Sequence, residues 1–209
     1  MKTAGIVLAA GLSRRMQQFK PLLKLGEEFM LIKSVKSLLL AGAFPVLVVT
    51  GREARRIEEL LSSFSFPGVA AVFNRDYAAG DMLASVRVAL TSLKERRVAT
   101  DSFFVLPGDI PLVQPATLER IKDAFDKAGT LAAVPVYCGR GGHPPLLAAA
   151  CLDMIINYQA GGGLRGFLGS LGSAVKAVAV DDEAVRLDAD TPDDYAKLCA
   201  YYYRIAAGR

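Results

Sequence analysis

Apolar residues in this chain come in short unbroken runs, separated by stretches where they recur every three or four positions. The unbroken runs cover residues 5–10, 45–50, 69–73, 102–106, 131–137 and 175–180, and each predicts a strand. Helical spacing or composition covers 31–40, 53–61, 82–93, 115–128, 148–158, 164–171 and 192–203, the last with Pro192 at its first turn. Strands that lack polar alternation are buried on both faces, as in parallel sheets. Alternation of strand and helix then predicts an α/β fold: a doubly wound, mostly parallel sheet in a single domain over residues 1–209. Ligands of such sheets bind outside the carboxyl ends of the strands, so the chemistry is expected just after each apolar run.

Composition narrows the classes. The 209 residues are 52% hydrophobic and 22% charged, a globular balance rather than a disordered one. Net charge is +4, from 25 basic and 21 acidic residues. That excess, without aromatic interleaving, argues against nucleic acid and suits a small anionic ligand. Cys138, Cys151 and Cys199 are far apart and odd in number, with no C-x-x-C. Neither a disulfide framework nor a zinc site is indicated, and a reducing cytoplasm is the simple reading. The first apolar run is short and two arginines follow it, which is against a secretory signal. The apolar stretch 38–49 holds Gly42 and Pro45 and is too short to span a bilayer. A soluble cytoplasmic protein without a membrane partner is expected.

The strand ends carry the chemistry. After the first run comes "LAAGLSRRMQQFK", residues 8–20. Ala9, Ala10 and Gly11 are small enough for backbone N–H groups to approach phosphate oxygens. Arg14, Arg15 and Lys20 supply positive charge, arginine in a form that holds two oxygens at once. Neither the dinucleotide fingerprint nor the Walker loop is present; an ordinary exposed basic turn is the competing reading. After the fourth run comes "VLPGDIP", residues 105–111. Asp109 there is read as a Mg2+ ligand, since magnesium takes one or two carboxylates and fills its other positions with water and phosphate oxygens; a simple Gly-Asp turn is the alternative.

Three further segments stand out. In "RLDADTPDDY", residues 186–195, Asp188 and Asp190 flank Ala189 and share one side of an extended chain. Asp190 or Thr191 caps the helix that follows, which leaves Asp188 as a second metal ligand. The single histidine, His143, lies in "GRGGHPP", residues 139–145, a glycine-rich loop with Arg140 that suits an anionic ligand. In "AGGGLRGFL", residues 160–168, Arg165 sits in the first turn of a predicted helix. In "NRDYAAGDMLASV", residues 74–86, Gly80 and Ser85 either meet ligand or shape the turn.

In this order the segments resemble a known pattern. "LAAGLSRRM…K" resembles the nucleotide-binding signature of the nucleotidyltransferase superfamily that includes the molybdenum cofactor guanylyl- and cytidylyltransferases. "LPGDIPLV" resembles its metal-aspartate motif and "LDADTPDDY" its closing motif. "GRGGHPPLL" resembles the R-G-H-P segment of the cytidylyltransferase branch, and "AAGDMLASVRVAL" and "GGGLRGFL" fit that branch in order and spacing. Two positions depart from the pattern: Gln17 stands where the family has glycine, and Arg140 falls one place earlier than its counterpart.

The resemblance implies a Rossmann-like nucleotidyltransferase fold and transfer of CMP from CTP to the terminal phosphate of molybdopterin or molybdenum cofactor, with pyrophosphate leaving. It implies Arg15, Lys20 and Asp109 as catalytic, and Mg2+ on Asp109, Asp188 and Asp190. The nucleotide site would comprise Leu8, Ala9, Ala10, Gly11, Ser13, Arg14, Arg15, Lys20, Thr50, Asn74, Gly80 and Ser85. The acceptor site would comprise Arg140, Gly142, His143, Pro144 and Arg165, and a molybdenum hydroxylase would be the recipient of the product. Cytidylyl enzymes of the superfamily read L-A-A-G at the first turn, as here at Leu8–Gly11, and guanylyl enzymes L-A-G-G. The β-carbon of Ala10 would crowd a purine more than a pyrimidine, a discrimination of about 1–3 kcal/mol. The alternatives are another phosphate acceptor, such as a sugar or alcohol phosphate, the use of GTP, or a non-catalytic carrier of molybdenum cofactor.

Overall fold

The computed structural model describes residues 1–16, 18–125 and 129–207. In chain order its elements are β1 (Thr3–Ala9), β2 (Lys24–Leu25), β3 (Glu28–Phe29), α1 (Met30–Leu40), β4 (Val46–Thr50), α2 (Ala54–Phe64), β5 (Val69–Phe73), α3 (Met82–Glu95), β6 (Ser102–Pro107), α4 (Pro115–Phe125), β7 (Ala132–Tyr137), β8 (Arg140–Gly141), β9 (Leu146–Ala148), α5 (Cys151–Ile156), α6 (Gly163–Ser170), β10 (Val175–Ala179) and α7 (Pro192–Ala207).

The unbroken apolar runs became the centre of one sheet, ordered β10-β7-β9-β6-β1-β4-β5, with β8 paired antiparallel to the end of β7. β1 runs parallel to both β4 and β6, and β4 and β6 are buried along their whole length. Apolar side chains can fill both faces there because helices cover both. One core layer joins Val7, Val48 and Leu106 to Leu31, Ile57 and Leu118 of α1, α2 and α4. The other joins Ile6, Leu47 and Val105 to Leu90, Ile155 and Phe167 of α3, α5 and α6. This is the doubly wound, mostly parallel α/β sheet that the periodicity predicts.

Three features lie outside that expectation. The predicted helix over 148–158 is instead a strand followed by a shorter helix. Leu146 and Leu147 are fully buried, and β9 runs antiparallel between β6 and β7, with Leu147 opposite both Phe103 and Ala132. Second, β2 and β3 form a separate small hairpin, and β8 adds a two-residue antiparallel pair. Third, α7 runs on to Ala207. Its Leu198 packs with Leu25, Met30 and Ala189 in a third apolar cluster, alongside Tyr195 and Tyr202. The Tyr195 hydroxyl also donates to the Lys24 carbonyl. That contact fixes α7, and the aspartates before it, against the segment that follows the first turn. The end of the predicted helix 115–128 lies outside the described residues, as does Gln17.

Candidate active site

The chain leaves β1 for β4 and β5 on one side, then returns to β6 on the other, so the sheet reverses direction between β1 and β6. The carboxyl ends of those strands open a crevice at the reversal. Leu8 is opposite Pro107 in the register, and a cleft of about 240 Å³ lies beyond them. Leu8, Ala9, Ala10, Gly11, Ser13, Lys20, Gly80, Ser85 and Asp109, all candidates from the sequence, line it. Pro21, Tyr77, Asp81, Met82 and Pro107 line it too and were not foreseen. A β-carbon added at Gly11 would meet no protein atom within 4 Å, so the space over this turn is open. Gly108 is the reverse case: its N–H donates to the Leu8 carbonyl at 2.9 Å, and a β-carbon would come within 3.0 Å of that oxygen. Glycine there lets the chain stay tied to β1 while it presents Asp109.

Charge is concentrated at one end of the cleft. Lys20 Nζ donates to Asp109 Oδ2 at 3.0 Å and to Asp190 Oδ1 at 2.5 Å, and Arg15 donates to Asp190 Oδ2 at 2.6 Å. The loop folds back to make this possible: the Lys20 N–H donates to Ser13 Oγ at 3.1 Å, with Ser13 at φ +51°. Burial disfavours the charge on Lys20, but the bond to Asp190 and the field of Asp109 outweigh it and hold the amine above the ordinary lysine value. Burial likewise works against ionised Asp190, yet Lys20 and Arg15 bring its carboxyl below the ordinary range.

Asp188 has the opposite balance. Burial, then the charges of Asp190 and Asp109, push its carboxyl up. Thr191 is the residue that caps α7: its Oγ1 accepts the Asp194 N–H at 3.2 Å. Both Asp188 and Asp190 are thereby released from capping. Among the described residues no three carboxylate, histidine or cysteine side chains converge to cage a metal. One carboxylate under like-charge pressure beside an aspartate at a strand end does fit Mg2+, which keeps most of its shell for water and phosphate.

A second, wider cleft of about 960 Å³ adjoins the first, and Asp81 and Met82 belong to the walls of both. Arg140, Gly142, His143 and Arg165 line it, with Gly162, Gly163, Leu164 and Leu168. The histidine loop is held by backbone bonds from Gly142 N–H to the Pro135 carbonyl at 2.8 Å and from His143 N–H to the Val185 carbonyl at 2.7 Å. A β-carbon at Gly142 would lie 2.5 Å from the Val185 oxygen, so only glycine fits. Burial lowers the imidazole of His143 below its ordinary range, against the opposing charge of Asp109. Its Nδ1 is buried with no hydrogen-bond partner among the described residues.

Other predicted residues stand behind the clefts. Thr50 is fully buried at the end of β4, with its hydroxyl 3.5 Å from the Val72 carbonyl. Asn74 is 1% exposed; it donates to Ser85 Oγ at 3.0 Å and accepts the Asp76 N–H at 3.0 Å, bracing the loop before α3. Pro144, next to His143, is buried. Arg14 is not behind them: it lines a hollow with Arg15, Lys20 and Asp190, and a second one with Arg52 and Arg56.

Residues 5–177 match the family model described as the MobA-like NTP transferase domain. The chain belongs to the MobA-like NTP transferase family. It is a nucleotidyltransferase. Over 200 residues it is 30% identical to the molybdenum cofactor cytidylyltransferase of Escherichia coli (strain K12), covering 96% of this chain and 97% of that one. Among solved structures it resembles Rv0371c of Mycobacterium tuberculosis H37Rv, determined as a complex with manganese. That match has a TM-score of 0.76 and 29% identity, over 96% of this chain and 99% of the other. A nucleotidyl transferase from Methanothermobacter thermautotroptrophicus shares the fold at a TM-score of 0.81 and 24% identity, over 98% and 99% of the two chains.

Proposed function

We propose that this nucleotidyltransferase moves CMP from CTP to the terminal phosphate of a molybdopterin-type cofactor, releasing pyrophosphate. The observation that carries the reading is the Lys20 ammonium held between Asp109 and Asp190, with Arg15 alongside, at one end of a cleft that shares its Asp81–Met82 wall with the wider one. Two polyanions must be brought together for this reaction, and a site for each, sharing one wall, is what it requires. The cytidylyltransferase named above, similar over nearly the whole of both chains, supports the choice of both substrates.

The chain's own groups do electrostatic work. A phosphate monoester has a second pKa of about 6 and is largely ionised at pH 7, so the attacking oxygen needs no general base. Lys20 and Arg15 offset the charge that gathers on the α-phosphate and on the leaving pyrophosphate. The small turn at Ala9, Ala10 and Gly11 brings backbone N–H groups close to the nucleotide. Arg140 and Arg165 hold the acceptor in the wider cleft, and His143, neutral at pH 7, offers hydrogen bonds rather than charge. Asp109 and Asp188 would hold Mg2+, with Asp190 beside them; when bound, such an ion neutralises phosphate charge and orients the oxygens. The manganese complex of the structurally similar protein supports a divalent ion here.

Among the described residues no helix is long and apolar enough to cross a membrane, and the three cysteines are free. We assign the protein to the cytoplasm, where the cytidylylated cofactor would pass to a molybdenum hydroxylase. Pyrophosphate release with CTP, GTP, UTP and ATP, each with and without molybdenum cofactor, tests the reading. Turnover is expected with CTP plus cofactor. Turnover with GTP alone, or with simple sugar phosphates in place of the cofactor, overturns the substrate assignment.

A further inference from the structure

The wall shared by the two clefts holds a carboxylate with a spare oxygen. Asp81 precedes α3, and its Oδ1 accepts the Ala84 N–H at 3.0 Å, which caps the helix and fixes the side chain. A cap needs one oxygen, and serine or threonine supplies it as well as aspartate does. Oδ2 is therefore not needed for the cap. It makes no hydrogen bond to any described residue, and it faces the first residue of α6: a β-carbon at Gly163 would lie 3.2 Å from it. Both substrates are polyanions, so a carboxylate in the wall repels any phosphate placed against it. What lies beside Asp81 must be a neutral part of the ligand that offers hydrogen-bond donors. Next to it Met82, 42% exposed, lines the same two clefts. Its thioether is a polarizable surface against which a flat ring packs well.

We infer that Asp81 is a specificity-determining residue: Oδ2 accepts a hydrogen bond from the exocyclic amino group of a bound heterocycle that packs on Met82. The inference rests on the substrate reading above. The amino group comes either from the cytosine of CTP or from the pterin of the acceptor, since Asp81 borders both clefts. Exchange of that amino group for a carbonyl oxygen would set two acceptors against each other. The carboxylate thus selects for the amino form and turns the phosphate ends of both substrates away, toward Lys20 and the arginines.

Equilibrium binding to the full-length protein tests this with two matched pairs, CTP against UTP and 6-hydroxymethylpterin against 6-hydroxymethyl-lumazine. Each pair includes an exchange of amino for oxo. The wild type should bind the amino member of one pair about ten-fold more tightly. Asp81→Ser keeps the cap and deletes Oδ2, and should bring that pair near parity. Asp81→Asn keeps the cap through its amide oxygen but presents a donor where Oδ2 was, and should reverse the preference. The pair that responds identifies the source of the amino group. Wild-type protein without a preference in either pair, or variants that keep the wild-type preference, overturns the inference. Pyrophosphate release by the wild type, measured alongside, tests the substrate reading separately, because the binding preferences do not depend on turnover.

Discussion

Lys20 Nζ and Asp109 Oδ2 lie 3.0 Å apart across 89 residues of sequence, joining the turn after β1 to the end of β6. The pair sits where the sheet reverses, with Asp190 as its third member. Lys20→Met should lower kcat by a factor of about 10²–10³, equivalent to roughly 3–4 kcal/mol of lost electrostatic stabilisation, with a smaller change in the KM for CTP. It also leaves Asp109 and Asp190 facing each other without their shared cation, so the thermal midpoint should fall. Steady-state pyrophosphate release and a thermal melt check both. A Lys20→Met enzyme with wild-type kcat would remove Lys20 from the reaction.

Asp188 should show the opposite relation between stability and activity. Its carboxyl is pushed up by burial and by the charges of Asp190 and Asp109. A carboxyl raised in the folded state adds stability that is present in acid and is lost as pH rises through its folded value. At pH 7 the ionised group therefore works against the fold. Asp188→Asn should melt at a higher temperature than the wild type at pH 7 and have lower activity. Mg2+ should raise the melting point of the wild type more than that of the variant. A variant that melts lower at pH 7 and responds equally to Mg2+ would rule out the strained-carboxylate account.

His143 gives a pH prediction. Burial holds its imidazole below the ordinary value despite the charge of Asp109. A depressed histidine adds stability that is present above the unfolded value of about 6.5 and is lost as pH falls through the folded value. Once the titration of the acceptor phosphate near pH 6 is divided out, activity should therefore stay flat as pH drops through 6.5 and decline only below it, with the KM for the acceptor rising first. His143→Gln should raise the acceptor KM about ten-fold at pH 7 and leave the KM for CTP within two-fold, since the ring lines the wider cleft alone. Equal changes in both constants would contradict that division of the site.

The pattern of apolar runs was enough to read the sheet because β1, β4 and β6 are covered on both sides, which leaves no room for polar alternation. β9 escaped because three residues carry no period, and Leu146–Ala148 runs into an alanine-rich stretch with helical propensity; pairing to Phe103 and Ala132 overrode it. Asp109 and the LAAG turn were visible as punctuation after strands. The contact of Asp190 with Lys20 and Arg15 was not, since it depends on α7 docking through Leu198 and Tyr195 on the β2–β3 region. Thr50 and Asn74 were placed at strand ends without knowledge of which way each side chain turns, and both turn inward. Asp81 was not singled out in the sequence, although an aspartate directly before a helical run is a capping signal.

Ala10 provides the last prediction. It lines the narrower cleft and is 4% exposed, packed in the same apolar layer as Leu47 and Leu83. Its methyl group is thus backed by rigid core and cannot retreat from a bulky base. If the cleft takes cytosine, Ala10→Gly should widen it by one methyl and raise kcat/KM for GTP relative to CTP by about ten-fold or more, at the lower end of what one methylene-sized change achieves in a packed pocket. Most of the change should come from GTP, because cytosine does not need the space. The fold should survive, since the position follows β1 rather than lying within it. Competition assays with both nucleotides in one mixture read the ratio directly. An unchanged ratio would mean that the base does not lie over Ala10, and would leave base selection to other parts of the wall.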